Sequence, residues 1–406
     1  MREAALGVVF FCIIVVLLTL LVLAARRLLV PRGECDITIN ERKRVPAAIG
    51  DSLLAVCQGA GIQLPSACGG AGTCGLCKLR VTGGGGEAGP QELAHLSARE
   101  AARGGRLACQ VRIMGPLSVE VDEAYFEARS WHCRVERAVN VSTLIREIQL
   151  RLPDGEMMDF RAGAFVEMTC PPYSLDFEDL EIAAEYRDVW DSMGLCKLRA
   201  GSDREVTRAY SMANHPGEAG IVTLNIRLAL PPPGRPEVPP GVVSSWLFSL
   251  RPGDNVEVRG PYGHFAVEPS ERELVFIGGG AGMAPLRAQI VDLLERQDSR
   301  RRISYWYGAR SRRELYYVEL FERLQREHDN FSWHPALSRP QPEDGWEGDT
   351  GYIHQVAYDS YLASHPAPES CEYYLCGPPL MVQSVQAMLD ELGVDEDRIH
   401  FDDFGS

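Results

Sequence analysis

The 406-residue sequence has no internal repeat, no excess of positive charge and no ladder of evenly spaced cysteines. The missing repeat excludes a solenoid or propeller. A net charge of −15 argues against nucleic acid as a partner. Twelve cysteines spread unevenly do not make a small secreted disulfide scaffold; free thiols beside a metal cluster suit a reducing compartment, so the soluble part is expected in the cytoplasm. What is present is ordinary for a folded protein: 45% hydrophobic and 24% charged residues. The length calls for roughly two to four domains.

Charge is absent from Ala4 to Ala25, a run of 22 residues rich in Leu, Val, Ile, Phe and Ala. As a helix it would be about 33 Å long, enough to cross the hydrocarbon core. Arg26, Arg27 and Arg32 follow it. Basic residues on that side predict a single-pass anchor with the rest of the chain in the cytoplasm. A signal peptide is the competing reading, but it would have a shorter apolar stretch and a small-residue cleavage site.

Cys68, Cys74 and Cys77 lie in ACGGAGTCGLC, and Cys109 follows in RLACQV. Three thiols on one tight loop and a fourth from afar is how ferredoxin-type folds hold a [2Fe–2S] cluster. Gly69, Gly70, Gly72 and Gly75 suit backbone amides turned toward sulfides. A structural zinc is the alternative; zinc sites usually come as two close pairs, and only one pair is close here.

Domain boundaries follow from pattern. Residues 1–33 are the anchor and its linker, and 34–125 an α+β ferredoxin (β-grasp) domain. In the latter, GGGGEAGP reads as a flexible loop and SAREAARGG as a helix capped by Ser97 with Glu100 in a capping box. Residues 126–268 show short strands punctuated by Pro and Gly, an antiparallel β-barrel. Within it, the acidic, aromatic stretch 171–206 reads as an insertion without a legible job. Residues 269–406 alternate strands and helices, a parallel α/β sheet.

Five motifs carry chemistry. Arg208, Tyr210 and Ser211 on one strand could give a flavin a cation for its pyrophosphate, a flat aromatic and a small donor near its reactive edge. Gly241 and Ser244 open a helix, a natural phosphate seat. IGGGAGMAP, with Gly279, Gly280, Gly282 and Pro285, joins an expected strand to an expected helix, as a dinucleotide turn requires. It is not GxGxxG, since Met283 stands at the last glycine. Cys376, Gly377 and Pro378 end a strand, where a thiol faces the ligand crevice of a parallel sheet. In the terminal DDFGS, Phe404 could lie over a flavin face and Asp402 or Asp403 handle a proton. Taken singly, each has a bland reading: a chance tetrapeptide, an ordinary helix cap, a buried cysteine in a turn, a docked tail.

In this order the motifs resemble the ferredoxin–NADP reductase superfamily. The fused cysteine loop, the apolar N-terminus, RAYSMAN, NIRLA, YWYGARS, EYYLCGPP and DDFG resemble, within it, the family of F subunits of sodium-translocating NADH:quinone oxidoreductases. The resemblance implies NADH as substrate, FAD and a [2Fe–2S] cluster as cofactors, the other subunits of a quinone reductase as partners, and a bacterial inner-membrane location. It implies that Arg208, Tyr210, Ser211, Gly241 and Ser244 hold the flavin, with Ser211, Cys376 and a terminal acid at the hydride-transfer site. It puts Gly308 and Arg310 near the adenosine half. One feature pulls the other way: the basic, hydroxylated run Arg310–Arg313 could grip a ribose 2′-phosphate and favour NADPH. Two other functions stay open at this point: the reductase of a multicomponent oxygenase, and a membrane-tethered relay or sensor whose nucleotide site only binds.

Overall fold

A computed structural model describes residues 10–21, 33–218, 220–232, 234–235, 237–263 and 265–402. Of the expected anchor, residues 10–21 are helical (α1) with exposed apolar side chains, and the remainder lies outside the described residues. No described helix is long and apolar enough to cross a membrane. By its contacts the chain divides into two compact units, residues 1–66 with 70–126, and residues 67–69 with 127–406.

In the first unit, β1 (Glu34–Ile39), β2 (Lys43–Ala48), β3 (Lys78–Gly83), β4 (Gly105–Leu107) and β5 (Leu117–Glu120) form a mixed sheet in the order β2-β1-β5-β3-β4. The β1–β2 turn uses Asn40 and Glu41 at φ 49° and 57°, the left-handed pair that matches strand twist. The Asn40 amide both donates to and accepts from the Val121 backbone at 2.7 Å, tying the turn to the end of β5. α2 (Leu53–Gly59) starts at the Ser52 cap and buries Leu53, Leu54, Val56 and Cys57. Burial pushes the Cys57 thiol up to about 12, as suits an apolar filler. Two short helices follow, α3 (Pro90–Leu93) and α4 (Ala98–Ala102). The expected capping box is present: Glu100 N donates to Ser97 Oγ at 3.1 Å and Ser97 N to Glu100 Oε2 at 2.7 Å.

The Gly-rich loop is not the loose tether its composition predicts. Arg106 donates from one guanidinium nitrogen to the Gly85 and Gly86 carbonyls at 2.5 and 3.1 Å. Its other nitrogens grip Glu92 in a fork at 2.8 and 2.9 Å, with both side chains buried. The composition shows the glycines but not the cation that holds them. α5 (Ala124–Glu127) closes this part of the chain.

The barrel strands are β6 (Arg129–Ser142), β7 (Ile145–Arg151), β8 (Phe165–Cys170), β11 (Val206–Ser211), β12 (Ile221–Arg227) and β13 (Asn255–Tyr262), with β9 (Tyr173–Asp176) and β10 (Arg199–Ser202) forming a separate hairpin. The six are antiparallel, in the order β11-β8-β13-β6-β7-β12. The ring is closed just past β11, where Met212 bridges Leu224 of β12 and Ala213 N donates to Thr223 O at 2.7 Å. Closure leaves no free edge among these strands.

The 171–206 stretch is part of this core rather than an ornament. α6 (Ala184–Ser192) and the turn before it bury Phe177, Tyr186 and Trp190 with the barrel side chains. Trp190 stacks on Phe248 of α7 (Val242–Ser249) at 6.5 Å and donates to Thr143 O at 2.8 Å.

The last sheet is wholly parallel. β14 (Leu274–Gly279), β15 (Ile303–Ala309), β16 (Phe331–Leu337), β17 (Asp349–Thr350), β18 (Glu372–Cys376) and β19 (Ile399–Asp402) lie in the order β17-β16-β15-β14-β18-β19. α8 (Met283–Val291), α9 (Val318–Glu327), α10 (Ile353–Ser360) and α11 (Pro379–Glu391) cover it. α9 begins directly after Tyr317, which takes a left-handed φ of 60° at its cap. The strand order reverses between β14 and β18, the point beyond whose carboxyl ends open parallel sheets bind their ligands.

Candidate functional site

Two sequence motifs meet at that reversal. The turn after β14 and the turn after β18 run backbone against backbone. A Cβ on Gly282 would come within 2.0 Å of Cys376 O, and one on Gly377 within 2.9 Å of Gly279 O. No side chain fits between the loops, so glycine is required there. Pro285 sits in the first turn of α8, where no helical N–H is missed. Pro378 caps α11.

The barrel delivers Ser211 to the same edge. Ser211 Oγ donates to Asp402 Oδ2 at 2.8 Å, and Cys376 Sγ, fully buried, reaches Asp402 O at 3.7 Å. Cys376 and Asp402 face each other across β18 and β19. Three residues singled out from separate parts of the sequence therefore come together. Tyr210, half-buried, precedes Ser211 on β11, and burial pushes its hydroxyl well up. Arg208 is exposed on the same strand. Gly241 caps α7, while Ser244 Oγ donates to Gly241 O at 3.1 Å and accepts from Ala229 N at 3.2 Å. The Ser244 hydroxyl thus braces the loop, and no side chain of the Gly241 cap takes up the first amides of α7. Phe404 and Asp403 lie outside the described residues.

Sequence reading missed the support beneath the glycine turn. Tyr307 and Tyr316 both donate to Gly280 O, at 3.0 and 2.9 Å. Burial pushes both hydroxyls far up, so they stay protonated donors. Tyr307 was hidden in an apolar strand run. At Gly308, a Cβ would meet Ile353 Cβ at 3.0 Å, so packing of α10 accounts for that glycine. Arg310 is exposed at the end of β15. Of the arginines after it, Arg313 donates from one guanidinium nitrogen to both carboxylate oxygens of Asp188 of α6, at 2.8 and 3.0 Å, and Arg312 donates to Asp344 O at 3.0 Å. Those two cations already have partners, which weakens the case for a 2′-phosphate clamp.

A second cluster, Glu273, His365 and Cys371, has ligand atoms within 4.8 Å of one another. His365 Nδ1 accepts from Ala367 N at 3.2 Å, which leaves the proton on Nε2, 3.4 Å from Glu273 Oε2. A ring in that tautomer has no lone pair to offer a cation, so the cluster is a hydrogen-bonded brace.

In the cysteine loop, Cys68 and Cys74 are half-buried and Cys77 and Cys109 buried. Burial pushes the Cys77 thiol up strongly, and neighbouring Cys109 and Cys74 add repulsion. Crowded thiols of this kind are stabilised as thiolates by a bound metal. Gly70 brings the loop against Cys109, whose Cβ would lie 3.9 Å from a Cβ on that glycine.

Three families match in chain order: a 2Fe-2S iron-sulfur cluster binding domain over residues 37–114, an oxidoreductase FAD-binding domain over 194–267 and an oxidoreductase NAD-binding domain over 276–387. The F subunit of the Na(+)-translocating NADH-quinone reductase of Marinomonas sp. is 51% identical over 403 residues, 99% of each chain. Its counterpart from Methylococcus capsulatus is 49% identical over the full length of both. Among solved structures, the cytochrome P450 reductase GcoB of Amycolatopsis matches with a TM-score of 0.63 at 27% identity, covering 91% of this chain and 98% of that one. With half its residues shared end to end, this chain belongs to the family of Na(+)-translocating NADH-quinone reductase F subunits.

Proposed function

We propose that this chain is the electron-input subunit of a membrane NADH:quinone oxidoreductase ion pump. It oxidises NADH and hands electrons to membrane subunits that reduce ubiquinone and export sodium. The observation that carries the reading is the meeting of Ser211, Cys376 and Asp402 at the sheet reversal, with three redox domains in the order of its relatives. When bound, FAD and a [2Fe–2S] cluster supply the conversion of a hydride, two electrons together, into single electrons.

The chain's own residues have definable tasks. Ser211 commits its proton to Asp402 and so presents oxygen lone pairs to a ligand N–H. Cys376 and Asp402 hold the ends of β18 and β19 level. Gly279, Gly280, Gly282, Gly377 and Pro378 line a turn that admits a pyrophosphate close to the backbone, with Gly308 and Arg310 toward the adenosine half. Arg208, Tyr210, Gly241 and Ser244 form the flavin side, and Cys68, Cys74, Cys77 and Cys109 hold the cluster. The residues suit these groups: Cys74 and Cys109 crowd Cys77, and two glycine turns pack backbone against backbone at the sheet reversal.

The apolar run Ala4–Ala25 followed by arginines supports a single-pass anchor in a bacterial inner membrane, with residues 34–125, 126–268 and 269–406 as cytoplasmic cluster, flavin and nucleotide domains. The partners of Arg312 and Arg313 favour NADH over NADPH. An anaerobic titration of the full chain with NADH tests the reading. Flavin bleaching together with a paramagnetic [2Fe–2S] signal is the expected result. Response to NADPH alone would instead favour an oxygenase-type reductase, and bleaching with no cluster signal would refute the cysteine assignment.

A further inference from the structure

A side-chain amide lies against one of the cysteines. Gln110 Nε2 is 3.3 Å from Cys109 Sγ, directed as a donor. The opposite amide orientation would turn a carbonyl oxygen toward the sulfur, which is repulsive when the sulfur is a thiolate. The loop makes room for this contact. Gly72 has φ +78°, and a Cβ there would come within 2.5 Å of Gln110 Nε2 and 2.8 Å of its amide carbon. Glycine at that position is therefore what lets the amide lie over the loop. A second glutamine closes the other side: Gln91 Nε2 donates to Ala71 O at 3.2 Å, and its amide carbon is 3.2 Å from the same Cβ position. Beneath both, Glu92 accepts from Leu107 N at 3.0 Å and from the Arg106 fork, which fixes the segment leading to Cys109.

We propose that Gln110 sets the reduction potential at the four-cysteine site by donating a hydrogen bond to Cys109 Sγ, an inference that rests on the cluster assignment above. One-electron reduction adds one negative charge to the site, and no proton or bond need be exchanged. A hydrogen bond to a more negative acceptor is stronger, so the Gln110 amide stabilises the reduced state more than the oxidised state and raises the potential. Gln91 bonds a carbonyl oxygen instead of a sulfur and leaves the potential unchanged.

The test is a redox titration of the full-length, cluster-loaded chain followed by electron paramagnetic resonance. Gln110→Leu removes the donor at similar volume. The expected result is an approximately tenfold shift of the equilibrium toward the oxidised state, about 59 mV lower for one electron. Gln110→Glu, which sets a carboxylate beside the sulfur, is expected to shift it further the same way. Gln91→Leu is expected to match the wild type. An unshifted potential in Gln110→Leu, or an equal shift in Gln91→Leu, overturns the proposal. Should the Gln110 variants lose the cluster, the wild type labelled with 15N-glutamine answers instead: a 15N coupling in the pulsed resonance spectrum supports the bond, and its absence refutes it. A wild-type chain with no cluster signal at all is a different failure, that of the cysteine assignment.

Discussion

Breaking the Arg106–Glu92 fork should destabilise the first unit, and by different amounts from its two sides. Both side chains are buried, at 8% and 3% exposure. Removing one member of a buried pair typically costs about 3–5 kcal/mol, because the other charge is left without compensation. Arg106→Met leaves Glu92 two backbone donors, Gly89 N at 2.8 Å and Leu107 N at 3.0 Å, and costs the Gly85 and Gly86 carbonyls their partner. Its cost should sit near 3 kcal/mol. Glu92→Leu strands the guanidinium and also strips Leu107 N, two residues before Cys109, so it should cost near 5 kcal/mol. Urea unfolding followed by the cluster's absorption beyond the flavin band reports on loss of the cysteine site. With an m of about 2 kcal/mol/M, the midpoints should drop by roughly 1.5 and 2.5 M. The double variant should lie closer to Arg106→Met than to the sum, since no unpaired charge remains. Equal drops in the two single variants, or drops below about 0.3 M, would refute the argument.

Ser211→Ala should lower the rate of flavin reduction by NADH about a hundredfold while dithionite still reduces the cluster, as stopped-flow absorbance would record. Trp190→Ala should cost about 3–5 kcal/mol in thermal or chemical unfolding, against about 0.5 for a surface ornament. Tyr316→Phe should cost about 1 kcal/mol, and with Tyr307→Phe it should raise the KM for NADH by more than the product of the single changes, because Gly280 O then has neither donor. Burial holds His334 and His400 below the ordinary 6.5, against opposing pulls from Asp349 on the first and from Glu372, Glu268 and Asp397 on the second. The unfolded chain then binds protons below pH 6.5 that the folded rings refuse, so stability should fall as pH drops through that value. His334→Phe, which keeps the stacking on Trp306, should flatten the melting-temperature profile there.

Glu92 also ties the stability of the first unit to pH. Burial alone would raise its carboxyl, but the Arg106 fork and the Gly89 and Leu107 amides outweigh that and hold it below 4.5. Its contribution is present above 4.5 and is lost as pH falls further toward the folded value.

The motifs were legible because each is local. IGGGAGMAP, CGPP and RAYS each place their key residues within one turn or strand, and the strand–helix alternation fixes where those turns lie. The capping box at Ser97 and Glu100 was read for the same reason. What stayed hidden depends on partners far away in sequence. The GGGG run reads as slack until Arg106 is found on its carbonyls. The 171–206 stretch reads as an insertion because its acids dominate the composition, while its weight in the fold rests on Phe177, Tyr186 and Trp190, whose spacing matches neither a strand nor one long helix. Tyr307 and Tyr316 are apolar filler by pattern, and only the turn of Gly280 O toward them makes them donors.

Barrel closure at Met212 has a consequence for strand register. Ser211, which meets Asp402, is the neighbour of Met212, which seals the ring against Leu224. Successive strand residues point to opposite faces, so a slip of one position along β8 would turn Ser211 away and put a different residue at the seam. A misthreaded barrel would lack both its seal and its serine at the sheet reversal. Strand register and the serine's placement are thereby one and the same condition: only a barrel paired in this register brings Ser211 to Asp402.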